Sequence, residues 1–267
     1  MNSLVAALPM YDWPERRSDV DAEWEKIRDR LRKAGVDAPE LLARRNGDLP
    51  PVPGGIRDQQ GNLIARDPAT LPPDEFDLET LWRHPGLLLA QTCWGPMIET
   101  DLQSHVRVVY QPDYSAFEGG QGTFYSSAIV MRAIRSPTRA PADGSAVLPL
   151  DLLRGSRFAF NDPHSRSGRL GLKADLDAVG EGLAIFAELV QTGAHRLSIR
   201  AVAEGRADVA AIDCRSWALA QRFEPAAAGL QAVGWTARRL GLPFVAAKDL
   251  PGEALSTVRR SCEDVSP

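Results

Sequence analysis

The sequence has little cysteine, no long apolar run and no excess of basic residues. Cysteine occurs only at positions 93, 214 and 262, and this spacing matches neither a zinc site nor a disulfide framework. The longest stretch without charge, residues 85–98, is shorter than the ~20 apolar residues of a membrane-spanning helix. Lys and Arg total 31 against 35 Asp and Glu, a net charge of −4. We therefore expect no metal, no cofactor, no membrane insertion and no nucleic-acid partner.

The N-terminal residues lack the features of an export signal. The segment MNSLVAALPMYDWPERR has no basic region before its apolar part, and Pro9 interrupts that part. We therefore expect a periplasmic protein if a leader was removed before this numbering begins, and a cytoplasmic protein otherwise.

The order of apolar and amphipathic segments predicts an α/β protein. Residues 78–83 and 97–104 are interpreted as helices that alternate with strands at 87–91 and 106–110, an order typical of a parallel sheet. Residues 182–191 are also interpreted as a helix. The segment 46–75 is rich in Pro, Gly and Asp and is expected to be an ordered surface loop or a short hairpin.

The stretch FAFNDPHSRSG at 158–168 is the most informative part of the sequence. A predicted strand enters a loop, and the loop enters a helix whose first turn holds Ser165, Ser167 and Gly168. Free backbone N–H groups, hydroxyl donors and a glycine at a helix start can hold an anion without a counter-charge. The competing interpretation is an ordinary capped helix with a turn glycine.

Two further residues lie where α/β sheets often bind ligands. His195 starts a predicted helix after a glycine turn and can donate to an anionic oxygen, although a lone histidine in this position more often caps a helix or packs in the core. Asp213 ends an apolar strand, where it can accept hydrogen bonds from a ligand or cap the next helix. Aromatic and hydroxyl residues at other strand ends are candidate pocket residues or core-edge residues: Tyr11, Thr92, Trp94, Tyr125 and Ser126.

Six motifs in order resemble the phosphate/phosphonate-type substrate-binding proteins of ABC transporters, which have the type 2 periplasmic-binding-protein fold. They are LPMYD at 8–12, LLLAQTCWGP at 87–96, TFYSSAIVMR at 123–132, LRGSRFAFNDPHSRSG at 153–168, TGAHRLSIRAVAEGRADVAAID at 192–213 and VGWTARRLGLPFV at 233–245. The order Trp94-Gly95 departs from the more usual glycine–tyrosine order of the family.

The resemblance implies a two-lobed α/β fold in which the ligand lies between the lobes. Each lobe is expected to hold a mixed, mostly parallel sheet flanked by helices, with two crossovers between lobes. Lobe one would comprise residues 1–118 plus 218–267, and lobe two residues 119–217.

The resemblance also implies the function and the site. The protein is expected to be a monomeric, non-catalytic solute-binding protein that captures a phosphonate-, phosphite- or phosphate-like anion, with an ABC transporter permease as its partner. The ligand-binding residues carried over from the family are Tyr11, Tyr125, Ser126, Ser165, Ser167, Gly168, His195 and Asp213. Thr92 and Trp94, at the end of a predicted strand, complete the expected ligand-binding set.

Two alternatives remain open on the sequence alone. The same fold can bind another small organic ligand, such as an amine, a pyrimidine or a sulfonate, in a cytoplasmic sensor. An enzyme with Cys93 or Ser165 as nucleophile and His195 as base is the second alternative.

Overall fold

The computed structural model describes residues 3–133 and 136–263, which fold as two compact units. Within the described residues, unit 1 comprises 3–92, 96–112 and 242–263. Unit 2 comprises 93–95, 113–133 and 136–241.

Both units are built from short strands and helices, and a π-helical turn precedes one of the helices. The helices are α1 (Arg17–Lys33), α2 (Leu78–Arg83), α3 (Trp94–Glu99), α4 (Leu150–Leu153), α5 (Gly171–Ala178), α6 (His195–Ala203), α7 (Cys214–Phe223) and α8 (Gly252–Glu263). The strands are β1 (Val5–Ala7), β2 (Ile56–Arg57), β3 (Leu63–Ala65), β4 (Leu87–Gln91), β5 (Val106–Tyr110), β6 (Gly120–Gln121), β7 (Phe124–Tyr125), β8 (Ser127–Arg132), β9 (Arg157–Phe160), β10 (Glu188–Gln191), β11 (Val209–Asp213), β12 (Leu230–Trp235), β13 (Arg239–Leu240) and β14 (Phe244–Ala247). The π-helical turn, Arg166–Leu170, continues directly into α5.

Unit 1 has a mixed sheet in the order β1-β4-β14-β5. β1 runs parallel to β4, whereas β14 runs antiparallel to both of its neighbours, so this mixed sheet is not mostly parallel as expected. All five residues of β4 are buried, which explains why its first four residues are an unbroken apolar run. Helix α1 buries Val20, Trp24, Ile27 and Leu31, a spacing that places them on one face. Each such side chain stabilises the fold by about 2 kcal/mol on burial.

The segment rich in Pro, Gly and Asp contains the predicted hairpin, β2 paired with β3. Asn46 connects the start of this segment to its end. Its side-chain amide donates to Pro72 O at 2.9 Å, and its side-chain oxygen accepts from Asp77 N at 2.8 Å. Within the described ranges, none of the helices is long and apolar enough to cross a membrane.

Unit 2 has a mixed sheet in the order β10-β9-β11-β8-β12. β9 runs parallel to β10 and β11, and β8 runs antiparallel to β11 and β12. The ends of β9 and β11 therefore lie at the same edge of the sheet as the start of β8, where Asp213 pairs with Ser127. This edge brings together the loop after β9, the start of α7 and the start of β8.

Two further sequence predictions differ from the structure. Residues 182–191 do not form a helix, because Leu183–Ile185 is a 3-10 turn and the chain then pairs as β10 beside β9. Residues 93–95, 113–118 and 218–241, predicted for lobe one, lie in unit 2. The last of these segments does so because β12 pairs with β8 and β13 pairs with β7. Both differences arise from strand pairings with distant segments, which local periodicity does not reveal.

An ion pair joins the start of β9 to the turn before β11. The Asp208 carboxylate accepts from the Arg157 backbone N at 2.9 Å and from the Arg157 guanidinium at 2.8 Å. These hydrogen bonds from Arg157 lower the pKa of Asp208 from 3.8 to about 2.

We expect Asp208→Asn to lower the free energy of unfolding at neutral pH by about 1 kcal/mol, allowing for solvent screening of this partly exposed pair. The lowered pKa means that ionised Asp208 stabilises the fold above pH 3.8 and that this contribution is lost as the pH falls towards about 2. The difference between the variant and the parent, measured by urea unfolding, should therefore shrink over that range. Asp177→Asn is the matched control, since its pair with Lys173 is an exposed contact within one helix and should contribute under about 0.5 kcal/mol. Equal effects of the two substitutions would contradict this account.

Candidate functional site

Four polar side chains form a connected cluster at the sheet edge of unit 2. Ser165 Oγ lies 3.5 Å from Ser167 Oγ, and Ser167 Oγ lies 2.8 Å from His195 Nε2. The same ring nitrogen lies 3.4 Å from Asp213 Oδ2. We call these four residues the edge cluster; they come from the loop after β9, the start of α6 and the end of β11.

Ser165 starts the π-helical turn. It has extended backbone angles, and its Oγ accepts from Gly168 N at 3.0 Å. Its carbonyl accepts from the N–H groups of Arg169 and Leu170. The capping role of Ser165 leaves its hydroxyl hydrogen available, since a serine oxygen accepts and donates at once.

Gly168 lies where a side chain would not fit. An added Cβ would overlap Asn161 Oδ1. That oxygen is buried and has no hydrogen-bond partner among residues 3–133 and 136–263. An unpaired buried acceptor beside a glycine is a group that a bound ligand with a donor can satisfy.

His195 is the first residue of α6 and is largely buried. Burial lowers the pKa of His195 below 6.5, an effect that the nearby Asp213 carboxylate opposes. The imidazole is therefore neutral at pH 7. Its Nδ1 is buried and has no hydrogen-bond partner in the described part of the chain.

Asp213 ends β11 and caps α7. It is 2% exposed, and its Oδ1 accepts from Ser216 N at 2.9 Å. The helix-cap interpretation of Asp213 is therefore correct. Its second oxygen faces His195, so one carboxylate serves both the helix start and the edge cluster.

Cys93 and Tyr125 lie beside the edge cluster. Cys93 Sγ accepts from Arg166 N at 3.3 Å, and burial raises the pKa of the Cys93 thiol despite the nearby amides of Gly95, Arg166 and Ser167. Burial, together with the proximity of Cys93 and Asp213, raises the pKa of Tyr125 well above 10, and a hydrogen bond with Ser167 opposes this shift. Both side chains are therefore uncharged at neutral pH.

The structure brings together six of the ten residues predicted for the site: Tyr125, Ser165, Ser167, Gly168, His195 and Asp213. Trp94 and Ser126 also lie in unit 2; the Trp94 Nε1 is buried without a partner in the described residues, and Ser126 N donates to Gly119 O.

Tyr11 and Thr92 lie in unit 1, where both are buried. Thr92 N donates to Pro243 O at 3.0 Å, whereas its Oγ1 has no partner in the described residues.

Sequence reasoning did not place Cys93 or Asn161 among the ligand-binding residues, although it considered Cys93 as a nucleophile. Cys93 has no neighbouring histidine or charged residue in the sequence that would have suggested a polar environment. Asn161 had a usable signal, because it is the first polar residue after a buried strand and precedes the turn that leads to Ser165.

A search of protein families matches residues 89–262, more than half of the chain, to the ABC transporter phosphonate periplasmic substrate-binding proteins. The chain belongs to this family. No protein of curated function matches it in sequence. The predicted resemblance is therefore confirmed, and the family is one of solute-binding proteins that are typically periplasmic.

Solved structures show the same fold. PhnD1 from Prochlorococcus marinus in complex with methylphosphonate has 17% identity and a TM-score of 0.62, covering 98% of this chain and 83% of that one. A binding protein component of an ABC phosphonate transporter from Pseudomonas aeruginosa has 16% identity and a TM-score of 0.60, covering 99% and 78%. The BvgS periplasmic VFT2 domain from Bordetella pertussis has 12% identity and a TM-score of 0.54, covering 99% and 88%. The predicted two-lobed periplasmic-binding-protein-like α/β fold is confirmed.

Among the described residues, no group of His, Cys, Asp and Glu side chains is arranged to hold a metal ion. The edge cluster instead offers hydroxyl and imidazole groups with one carboxylate, a set suited to hydrogen bonding with a polar ligand.

We expect Gly168→Ala to destabilise unit 2 by about 1–3 kcal/mol, because the new methyl group must displace the buried Asn161 side chain. Thermal unfolding measures the effect. The control is Gly229→Ala, where an added Cβ meets no atom within 4 Å, and the expected change is within about 0.5 kcal/mol. A Gly168→Ala protein as stable as the control variant would show that this close approach is not required.

Proposed function

We propose that this protein binds a small phosphorus oxyanion, such as a phosphonate, phosphite or phosphate, through the edge cluster, as the substrate-binding component of an ABC transporter. The observation that carries the proposal is the convergence of Ser165, Ser167, His195 and Asp213 at one buried sheet edge. Membership of the phosphonate-binding family and the fold shared with a methylphosphonate-bound protein support it.

The serines supply the hydrogen-bond donors. His195 Nε2 lies near two acceptors, Ser167 Oγ and Asp213 Oδ2, which favours the tautomer with its proton on Nε2. With His195 Nε2 and the uncharged Tyr125 phenol both donating to Ser167 Oγ, the Ser167 hydroxyl hydrogen points at an oxygen of the ligand. The Ser165 hydroxyl hydrogen is available in the same way, because the Ser165 oxygen already accepts from Gly168 N.

Asp213 gives the site a preference for one protonation state of the ligand. A buried carboxylate repels a fully ionised oxyanion, but it can accept a hydrogen bond from a remaining P–OH group. Asp213 therefore favours the singly protonated anion over the fully deprotonated one.

The remaining predicted contacts are part of the proposal. Tyr125 is supported by its hydrogen bond with Ser167, and Trp94 is supported by its buried, unpartnered indole N–H within the described chain. Tyr11, Thr92 and Ser126 stay predictions, as does the position of the ligand between the lobes.

We also infer that the edge cluster is not catalytic. In a Ser-His-Asp triad the carboxylate binds the ring nitrogen opposite the serine, whereas Ser167 and Asp213 here approach the same nitrogen of His195. The raised pKa of the Cys93 thiol leaves little thiolate for nucleophilic attack. Cytoplasmic or periplasmic location, a permease partner and a monomeric state of this chain stay predictions.

The binding test is calorimetric titration with methylphosphonate, phosphite and phosphate, and with methanesulfonate as a tetrahedral anion that lacks an ionisable hydroxyl. We expect at least one phosphorus oxyanion to bind and methanesulfonate to bind much more weakly. Ser167→Ala should weaken binding roughly tenfold or more, the effect of losing one hydrogen bond to a charged group.

Ser145→Ala is the matched control, because Ser145 is an exposed serine of unit 2 whose hydroxyl contacts Asp143. It should bind like the parent protein. Binding of none of the three phosphorus oxyanions, or equal affinity for methanesulfonate, would contradict the proposal.

The pH dependence of binding tests the role of Asp213. Raising the pH from about 6.5 to about 9 removes the last ligand proton, so affinity for methylphosphonate should fall while the neutral His195 adds no change of charge. In Asp213→Asn the fall should be smaller, because the amide does not repel the doubly charged anion. An unchanged pH profile in that variant would show that the carboxylate does not select the protonated ligand.

A further inference from the structure

A second polar pair lies in unit 2 outside the edge cluster. Arg239 Nη2 donates to Asp175 Oδ1 at 2.5 Å, and Arg239 Nη1 donates to Asp175 Oδ2 at 3.1 Å. The side chains are 17% and 7% exposed. This two-bond arrangement holds both planar groups in one orientation, unlike an exposed ion pair.

Each partner belongs to an element that adjoins one carrying a proposed ligand-binding residue. Asp175 lies on α5, the helix that continues the π-helical turn of Ser167 and Gly168. Arg239 lies on β13 and is paired in register with Tyr125 on β7. The ion pair therefore connects α5, which follows the turn of Ser167 and Gly168, to β13, which pairs with the strand that holds Tyr125.

Both side chains of the ion pair also form hydrogen bonds with the backbone of Ala237. Asp175 Oδ2 also accepts from Ala237 N at 2.9 Å, and Arg239 Nη1 donates to Ala237 O at 2.6 Å. A Cβ added at Gly171 would come within 3.7 Å of Arg239 Nη1, so the guanidinium lies beside the first residue of α5. The pair thus touches the junction where the π-helical turn becomes the helix.

A buried ion pair adds little to the free energy of unfolding, because desolvation of the two charges offsets most of their attraction. It can nevertheless fix the relative orientation of the two segments that carry the charges. We propose that Asp175 and Arg239 are positioning residues that hold the Ser165–Gly168 turn in register with Tyr125, so that their donors meet one ligand. The expected effect of the ion pair on ligand affinity rests on the proposed function. Its expected effect on local order rests on the fold alone.

The test compares Asp175→Asn, Arg239→Gln and Arg239→Lys with Asp208→Asn. Asp208 is the matched control, because its pair with Arg157 lies at the opposite end of β9 from the edge cluster. Methylphosphonate affinity is measured by calorimetry, with and without trimethylamine N-oxide, which stabilises folded states generally. Amide hydrogen exchange is followed at residues 166–170 and 124–125 without ligand.

We expect Asp175→Asn and Arg239→Gln to weaken binding roughly tenfold, as supporting residues behind a binding site do. Arg239→Lys should recover part of the affinity because it keeps one charged donor. Asp208→Asn should bind like the parent, and the osmolyte should not restore the affinity of Asp175→Asn. Exchange at 166–170 and 124–125 should rise in Asp175→Asn and not in Asp208→Asn.

Parental affinity in Asp175→Asn, equal weakening in Asp208→Asn, or recovery of affinity with the osmolyte would overturn the inference. If the parent protein binds no phosphorus oxyanion, the proposed function fails. The exchange measurement then decides this inference by itself, and unchanged exchange at 166–170 in Asp175→Asn would overturn it. If Asp175→Asn does not fold, Arg239→Lys against Asp208→Asn supplies the same comparison.

Discussion

The order and direction of the strands in unit 2 are the constraint on which the site depends. β9 and β11 run in parallel and end at the same edge, while β8 runs the other way and starts there. This arrangement places Asp213 opposite Ser127 and brings the loop after β9 to the same edge. Residues that are separated by dozens of positions in the sequence therefore lie within hydrogen-bond distance of one another.

The electrostatic character of the site follows from burial. Imidazole, phenol and thiol groups at this edge are all neutral, because burial disfavours their charged forms. Asp213 is the buried carboxylate among them. Such a site recognises an anion through hydrogen-bond donors and distinguishes anions by the proton that they offer to the carboxylate. Discrimination by a hydrogen bond is sharper than discrimination by overall charge, because a buried group left unpaired is costly.

Much of the site was predictable from local sequence. A strand followed by Asn161-Asp162-Pro163 and a serine-rich helix start indicated a helix cap, which the structure shows at Ser165. Gly168 was expected to admit a ligand to the backbone, and the structure shows the Asn161 side chain packed against it. Asp213 at the end of an apolar strand was predictable in the same way. The contact of Cys93 with Arg166 was not, because it joins segments 73 positions apart without any local pattern.

The failures have the same origin. The sequence predicted a helix where β10 forms, and it placed β12 in the other lobe. The position of each strand depends on its pairing with a distant strand, β9 for β10 and β8 for β12, and not on its own residues. The Asp175–Arg239 pair joins a helix to a strand 64 positions away, so sequence alone gave no reason to connect the two.

The most direct test of the central claim is a crystal structure with methylphosphonate bound. The account predicts ligand oxygens within hydrogen-bond distance of Ser165 Oγ and Ser167 Oγ, and a ligand hydroxyl facing Asp213. Methylphosphonate bound elsewhere, with the contacts among Ser167, His195 and Asp213 unchanged, would contradict it.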